Sequence, residues 1–180
     1  AWRAEAPDLR VFALAADASL LLERLGAWPA IAAARVQPYR HMRVWDAAGG
    51  GELRFDADAM GRRELGWIVE HGLLVDRLSA ALTDAGVRVL CPARVDALEQ
   101  DDGGVRLRLE DGRTLDARIA IAADGPDSTL RALVGLDVER HDYAQRGIVA
   151  YVETARKHEG TAWQRFLPGD RLPHFHHVAL

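Results

Sequence analysis

Apolar residues recur at helical spacing in two segments of the chain. In the first, "ADASLLLERLG", Gly26 follows where helices favour a left-handed residue, and Asp17 or Ser19 can cap the start. Three leucines share one face of this helix: Leu21, Leu22 and Leu25. In the second segment, apolar residues keep helical spacing from His71 onward until Gly86 ends the pattern. The pattern predicts one short and one longer helix.

Alternating apolar and polar residues predict strands in much of the rest of the chain. "YRHMRVWDAAGGGELRFD" is typical of two strands joined by a turn, because glycines 49–51 are expected to supply the positive φ values that a hairpin connection needs. Another strand, "VRVLC", follows the second helix. The runs "RVDALEQ", "GVRLRLE" and "RTLDARIAIAA" are separated by "DDGG" and "DG", and they predict an antiparallel meander with one solvated side. In the middle run, apolar and charged side chains alternate: Val105, Leu107 and Leu109 against Arg106, Arg108 and Glu110.

The meander ends in a uniformly small and apolar stretch at residues 119–123, which predicts a strand buried on both faces. A plain doubly wound fold alternates strand and helix without interruption, whereas here a meander separates a helix from this strand. We therefore predict an α/β fold with a three-stranded antiparallel meander inserted between two strands of a parallel sheet.

An acidic residue and a glycine, Asp124 and Gly125, follow the predicted buried strand directly. A carboxylate at the end of such a strand lies where α/β proteins place cofactors. Asp-Gly is also a common turn, and taken alone it favours that interpretation. The preceding apolar strand, Ser128 as a helix cap and Arg131 behind it shift the balance toward a cofactor site. Arg131 itself is equally suited to a surface ion pair.

Composition excludes several classes of function. The 180 residues carry a net charge of -4 without a basic cluster, so nucleic acid is not an expected partner. The single cysteine, Cys91, rules out an intrachain disulfide and favours the cytosol. No apolar run reaches the roughly 18 residues that suggest a membrane span, although peripheral membrane contact stays open. Motifs of nucleophilic hydrolases, P-loop proteins and zinc proteases are absent from the sequence.

Three histidines near the end of the chain and four tryptophans could each be interpreted as a functional site, but the sequence favours a structural interpretation of both groups. His174, His176 and His177 lack an acidic or thiol companion, so we expect no metal site there. The segment "GDRLPHFHHVAL" that contains them is expected to interrupt a strand. Four tryptophans are scattered along the chain and are expected to be core or interface aromatics: Trp28, Trp45, Trp67 and Trp163.

Several longer segments resemble the flavin-dependent aromatic hydroxylases, and most closely the ubiquinone-biosynthesis hydroxylase group. They are "DLRVFALAADASLLLERLGAW", "ELGWIVEHGLLVDRL", "ARIAIAADGPDSTLRALVGL" and "YAQRGIVAYVETARKHEGTAWQRFLP". The resemblance runs from about Asp8 to Pro168. It implies a partial FAD-binding domain of the glutathione-reductase-like and p-hydroxybenzoate-hydroxylase-like type, with part of a substrate-side β-sheet. Residues 1–36 and 63–142 would form the incomplete FAD-binding domain. Residues 37–62 and 143–180 would supply the substrate-domain strands, for example "GIVAYV" at residues 147–152.

The resemblance also implies particular cofactor contacts. Asp124 and Gly125 match the family's Asp-Gly motif near the FAD ribose and pyrophosphate. Arg10 matches an arginine that lies against FAD, and its guanidinium suits phosphate oxygens. Val95 matches a meander position whose backbone meets the adenine, and His71 falls where related enzymes carry a polar residue near the flavin. We assign no catalytic side chain.

The function that the resemblance implies is hydroxylation of a phenolic ring, expected to be a polyprenylated ubiquinone precursor. FAD would be the cofactor, NAD(P)H the reductant and O2 the oxidant. The enzyme would be cytoplasmic, in contact with the inner membrane or with a biosynthetic complex. The family's G-x-G-x-x-G fingerprint and second Gly-Asp motif do not occur in this chain and are expected to lie upstream and downstream. The chain alone is therefore expected to be inactive.

Two other classes of function stay open from the sequence. One is a non-catalytic chain that acts at most as a binding or association module. The other is a nicotinamide-only dehydrogenase of similar architecture, which would need a dinucleotide fingerprint and a proton-handling residue upstream.

Overall fold

The computed structural model describes residues 2–144, 146–166 and 174–176. These residues divide into two compact units, one formed by residues 2–87, 147–166 and 174–176 and the other by residues 88–144 and 146. The two units are distinguished by the contacts within each of them, and these contacts do not show which segments bind a cofactor or a substrate. The assignment of segments to an FAD-binding domain and a substrate domain therefore stays a prediction.

The first unit contains a small antiparallel sheet covered by helices. Its strands are β1 (Val11–Ala15), β2 (Val36–Tyr39) and β5 (Gly66–Glu70), with β5 in the centre. Three helices accompany it: α1 (Ala16–Arg24), α2 (Trp28–Ala32) and α3 (His71–Asp84). The core between them consists of buried apolar residues: Leu22, Ala27, Ile31, Val69 and Leu73. Trp28 and Trp67 pack against this core, and their ring centroids lie 5.2 Å apart, as expected for core aromatics.

The two predicted helices are present, but the details of α1 differ from the prediction. Neither Asp17 nor Ser19 caps the start of α1, because the helix already begins at Ala16 and both lie inside its first turn. Of the three leucines expected on one face, only Leu22 is buried, while Leu21 and Leu25 are more than half exposed. The longer helix α3 ends as predicted, with Gly86 in the left-handed conformation at φ 70°.

A second sheet in this unit has four strands, in the order β10 (His174–His176), β9 (Thr161–Phe166), β3 (His41–Asp46) and β4 (Glu52–Asp56). The glycine-rich turn joins β3 (His41–Asp46) to β4 (Glu52–Asp56) as an antiparallel hairpin, which confirms the predicted pairing. None of the glycines 49–51 has a positive φ, so the expected reason for glycine in this turn is wrong, because a longer connection can reverse the chain through right-handed conformations. Strand β9 (Thr161–Phe166) runs parallel to β3. The backbone at β10 (His174–His176) pairs with β9. The expectation that this segment interrupts a strand is therefore wrong for residues 174–176. Residues 167–173 and His177 lie outside the described part of the chain.

The second unit contains the predicted meander. Strands β6 (Val95–Asp101), β7 (Gly104–Leu109) and β8 (Thr114–Ala117) pair antiparallel in chain order. The predicted alternation in β7 is confirmed, because its apolar residues are at least half-buried and its arginines are exposed. Helix α4 (Thr129–Leu133) follows in the same unit. The α/β class and the inserted meander are therefore confirmed.

Three predicted strands are wrong. Residues 87–91, 119–123 and 147–152 form no strand, and Ile119, Ile121 and Ile148 are 78%, 84% and 95% exposed. Within the described residues no strand pairs with any of them. Without a neighbour, the N–H and C=O groups of an extended segment have no sheet partners. The predicted parallel sheet around residues 119–123 is consequently not formed in the described part of the chain.

Candidate functional site

The Asp124 loop is held rigidly by local hydrogen bonds at the start of α4. The Asp124 carboxylate accepts hydrogen bonds from the Ser128 hydroxyl and from the backbone N–H of Leu130 at 3.2 Å. Ser128 is the N-cap of α4, as predicted, and its hydroxyl accepts from the Arg131 N–H at 3.0 Å. These hydrogen bonds, led by the one from Ser128, lower the pKa of Asp124. The carboxylate is therefore ionised at neutral pH.

The neighbours of Asp124 complete a turn with one open side. Gly125 has φ 85°, and a Cβ built on it would contact nothing within 4 Å. The Arg131 guanidinium donates to the carbonyl of Pro126 at 2.7 Å, so it braces the turn. Asp124 itself stays exposed. Each carboxylate oxygen has a second lone pair, so the acid can still accept hydrogen bonds from a ligand's hydroxyl groups.

Arg10 and His71 meet in the first unit, where β1 begins and α3 starts. The backbone N–H of His71 donates to the Arg10 carbonyl at 2.9 Å. The Asp8 carboxylate accepts from the N–H of Arg10 at 3.0 Å and of Gly72 at 2.9 Å. These backbone hydrogen bonds, first that of Arg10, lower the pKa of Asp8. The Arg10 side chain is exposed, whereas His71 is half-buried and its ring centroid lies 5.6 Å from that of Phe12.

The remaining predicted contact, Val95, lies half-buried in β6 and pairs with Leu109. The five predicted cofactor residues thus fall into two groups. Arg10 and His71 are neighbours in the first unit, while Val95, Asp124 and Gly125 belong to the second. Their roles toward a cofactor stay predictions.

The sequence analysis missed a buried acid directly before His71. Glu70 is fully buried and accepts two hydrogen bonds from the Arg35 guanidinium, at 2.6 Å and 3.1 Å. The indole N–H of Trp2 donates to the same carboxylate at 2.7 Å. Burial alone would raise the pKa of Glu70, but the hydrogen bonds from Arg35 and Trp2 outweigh it and lower the pKa. An acid at the end of the apolar run "GWIVE" was the available signal, since a buried carboxylate requires a partner.

Comparison with known proteins decides the family. Residues 21–173 match the sequence model of a family described as "FAD binding domain". The chain is 32% identical to 3-demethoxyubiquinol 3-hydroxylase of Escherichia coli over 90% of its length and 36% identical to ubiquinone hydroxylase UbiL of Rhodospirillum rubrum over 89%. The chain belongs to the FAD-dependent hydroxylases of the ubiquinone-biosynthesis group. It spans 41% and 37% of these two relatives.

A solved structure supports the fold of this chain. A mutant of PqsL from P. aeruginosa superposes with a TM-score of 0.62 at 24% identity, covering 78% of this chain and 39% of the other. This likeness concerns the fold alone. The family assignment, by contrast, indicates an FAD-binding protein and therefore does not support the nicotinamide-only dehydrogenase, which the sequence had left open.

The exposed groups fit the family's cofactor chemically. FAD carries ribose hydroxyls, which need acceptors, and a pyrophosphate, which needs cations and close backbone approach. In the second unit, the ionised carboxylate of Asp124 is an acceptor suited to ribose hydroxyls, and the open side of Gly125 allows a ligand to approach the backbone. In the first unit, considered by itself, the exposed guanidinium of Arg10 is a cation suited to phosphate oxygens. Within the described residues no helix is long and apolar enough to cross a membrane.

Proposed function

We propose that this chain supplies part of the FAD site and part of the substrate-side sheet of a monooxygenase that hydroxylates a phenolic ring. NAD(P)H is the reductant and O2 the oxidant in this proposal. The observation that carries it is the likeness to two ubiquinone hydroxylases, which extends over about 90% of the chain. One of these relatives is a 3-demethoxyubiquinol 3-hydroxylase and the other is a ubiquinone hydroxylase.

The proposal gives each cofactor residue a role that its surroundings support. Asp124 accepts hydrogen bonds from the ribose hydroxyls, because its turn keeps the carboxylate ionised and exposed. Gly125 lets the backbone approach the pyrophosphate, and Arg10 pairs with phosphate oxygens. His71 lies toward the flavin, and the backbone of Val95 toward the adenine. FAD, when bound, supplies the oxygen-transfer chemistry, while the protein positions the ring and excludes water.

An apolar sheet face supports an apolar aromatic substrate. The register of β3, β4 and β9 places a set of side chains on one face of the second sheet: Met42, Val44, Leu53, Phe55 and Ala162. Leu53 and Phe55 of β4 are 63% and 38% exposed, so the β4 side of this face is open within the described residues. Met42, Val44 and Ala162 are half-buried. A polyprenylated phenol would bury apolar surface there, at about 25 cal/mol per Å². We propose that the substrate ring or its prenyl chain is held on this face.

Location and partners follow from such a substrate. We propose a cytoplasmic protein that approaches the inner membrane or a biosynthetic complex, where a prenylated precursor resides. The small-molecule partner is aromatic, and nucleic acid is not proposed because the chain is acidic overall.

One observation favours a second candidate, a catalytically inactive chain that acts at most in association. The apolar segments 119–123 and 147–152 are exposed, and exposed apolar surface is typical of interaction sites. This candidate predicts that the chain neither binds FAD nor completes an enzyme.

A chimera distinguishes the two candidates. Residues 8–166 of this chain replace the matching part of the E. coli 3-hydroxylase, and the purified chimera is assayed for bound flavin and for hydroxylation of the relative's substrate. We expect a yellow protein with measurable hydroxylation. A chimera that melts cooperatively near the parent's temperature, yet is colourless and inactive, would favour the association candidate.

A further inference from the structure

A concave site lies on one face of the second sheet, opposite to the apolar face described above. Its cavity of about 820 Å³ is lined by two tryptophans, three cations and one acid, which we call the tryptophan pocket: Trp45, Trp163, Arg156, Lys157, Arg165 and Glu159. All of them belong to the first unit. None is among the predicted FAD residues, so the pocket does not depend on the proposed function.

Strand register builds the aromatic part of the pocket. Trp45 of β3 pairs with Arg165 of β9, and Arg43 pairs with Trp163, so these four side chains share one sheet face. The two indoles meet edge to face with ring centroids 6.1 Å apart, and both are half-buried. The Arg43 guanidinium lies 4.9 Å from the Trp163 ring centroid. This packing fixes the indoles as a rigid apolar wall.

Positive charge collects along the rest of the pocket. Arg156, Lys157 and Arg165 face a single lining carboxylate, Glu159, which leaves a net charge of +2 in a chain whose overall charge is -4. Among the described residues, none of these three cations forms an ion pair, whereas Arg43 and Arg54 on the same sheet share Glu52. The three exposed cations therefore have free donors for a ligand.

A histidine adds a neutral donor to the same pocket. The Nδ1 atom of His158 accepts a hydrogen bond from the Gly160 N–H at 3.1 Å. In the neutral imidazole the proton therefore resides on Nε2, which can donate to an anion.

We propose that the tryptophan pocket binds an aromatic phosphate ester. The net charge of +2 matches a phosphate dianion, and arginine and lysine are the side chains that bind phosphate in proteins. The indole wall receives the flat apolar body of the ester. Neither part alone makes use of the whole pocket, so the ester binds more tightly than inorganic phosphate or the parent phenol.

Lys157 provides a direct test because it is the only lysine in the chain. The 180-residue protein is acetylated with acetic anhydride at about pH 8, where the ester is a dianion, and Lys157 and the N-terminal amine are quantified by mass spectrometry. At roughly ten times its Kd, 1-naphthyl phosphate should slow acetylation of Lys157 by about tenfold and leave the N-terminal amine unaffected. 1-Naphthol and inorganic phosphate at the same concentration should have much smaller effects.

Paired variants test the pocket itself. Replacing both Arg156→Gln and Arg165→Gln should weaken protection by the ester at least about tenfold, or about 1.4 kcal/mol. Arg62→Gln, an exposed arginine outside the pocket, should leave it unchanged. Circular dichroism verifies that the variants fold. The proposal is overturned if the ester does not protect Lys157, if naphthol or phosphate alone protects it equally, or if the double variant is protected like the wild type.

Discussion

The buried ion pair between Glu70 and Arg35 joins parts of the chain that lie far apart in sequence. Arg35 binds the carboxylate through two nitrogens, donates to the carbonyl of Ala4 at 2.7 Å and lies 5.4 Å from the Trp2 ring centroid. Because Glu70 directly precedes His71, these contacts hold the N-terminal segment against the start of α3. Tyr151 extends the connection by donating its hydroxyl to the Asp8 carbonyl.

Removing Glu70 should be strongly destabilising. Glu70→Ala leaves the guanidinium and the indole N–H without their acceptor, and we expect a loss of about 2–3 kcal/mol, since the 28% exposure of Arg35 limits the cost. Glu23→Ala, an exposed acid on α1, should change stability by less than about 0.5 kcal/mol. Urea unfolding measures both. Equal small losses would show that the buried pair contributes nothing.

Acid should weaken the second sheet through Glu52. Hydrogen bonds from Arg43 and Arg54 lower the pKa of Glu52 from 4.5 to about 2. A carboxylate with a lowered folded pKa stabilises the protein above its unfolded pKa, and that contribution is lost as the pH falls from 4.5 through about 2. Glu52→Gln should therefore flatten the fall in unfolding free energy across this window. Glu110→Gln, which has no ion pair within the described residues, should leave the slope unchanged, and an unchanged slope in Glu52→Gln would contradict the assignment.

At the residue scale, the sequence predicted what local chemistry decides. Ser128 caps α4 and Gly86 ends α3 because each acts on its own few neighbours. The partners of Glu70 could not be predicted, since Trp2 and Arg35 come from separate segments and meet only in the folded unit. The Asp17 and Ser19 caps failed because the N-cap of α1 is Ala15, two and four residues earlier, which places both side chains inside the first turn.

At the scale of elements, pairing decided which apolar runs became strands. The meander and the hairpin formed because each strand has its neighbour close in sequence. The run at residues 119–123 is more apolar than most of them, yet it has no strand partner within the described residues and stays exposed. The composition of this run predicted a buried strand. Within the described residues it has no neighbouring strand to pair with, and it therefore forms no strand.

Substitutions in the two kinds of segment should differ sharply in cost. Leu109→Ala, at a position 2% exposed in β7, should destabilise the protein by about 2–4 kcal/mol. Ile121→Ala, at a position 84% exposed, should cost less than about 0.5 kcal/mol. Thermal unfolding of both variants provides the comparison. A loss above about 1.5 kcal/mol for Ile121→Ala would show that residues 119–123 are packed after all.

At the scale of the whole molecule, the chain carries a recognisable portion of a larger architecture. It covers about two fifths of the E. coli relative and matches the FAD binding domain over residues 21–173. The predicted cofactor residues are divided between the two compact units, Arg10 and His71 in one and Asp124 in the other.

The central claim is that the exposed carboxylate of Asp124 serves FAD and is more than a helix cap. In the chimera with the E. coli 3-hydroxylase, flavin dissociation is followed by fluorescence for Asp124→Ala and for Ser128→Ala. The second variant loses the N-cap acceptor and one hydrogen bond to Asp124, but it keeps the acid and the hydrogen bond from the Leu130 N–H. Both variants remove a cap contact of α4, so both should lower the apo melting temperature slightly. We predict that only Asp124→Ala weakens FAD binding, by about tenfold or more, the equivalent of at least one charge-assisted hydrogen bond. Equal FAD affinity in the two variants would contradict the claim and leave Asp124 as a turn residue.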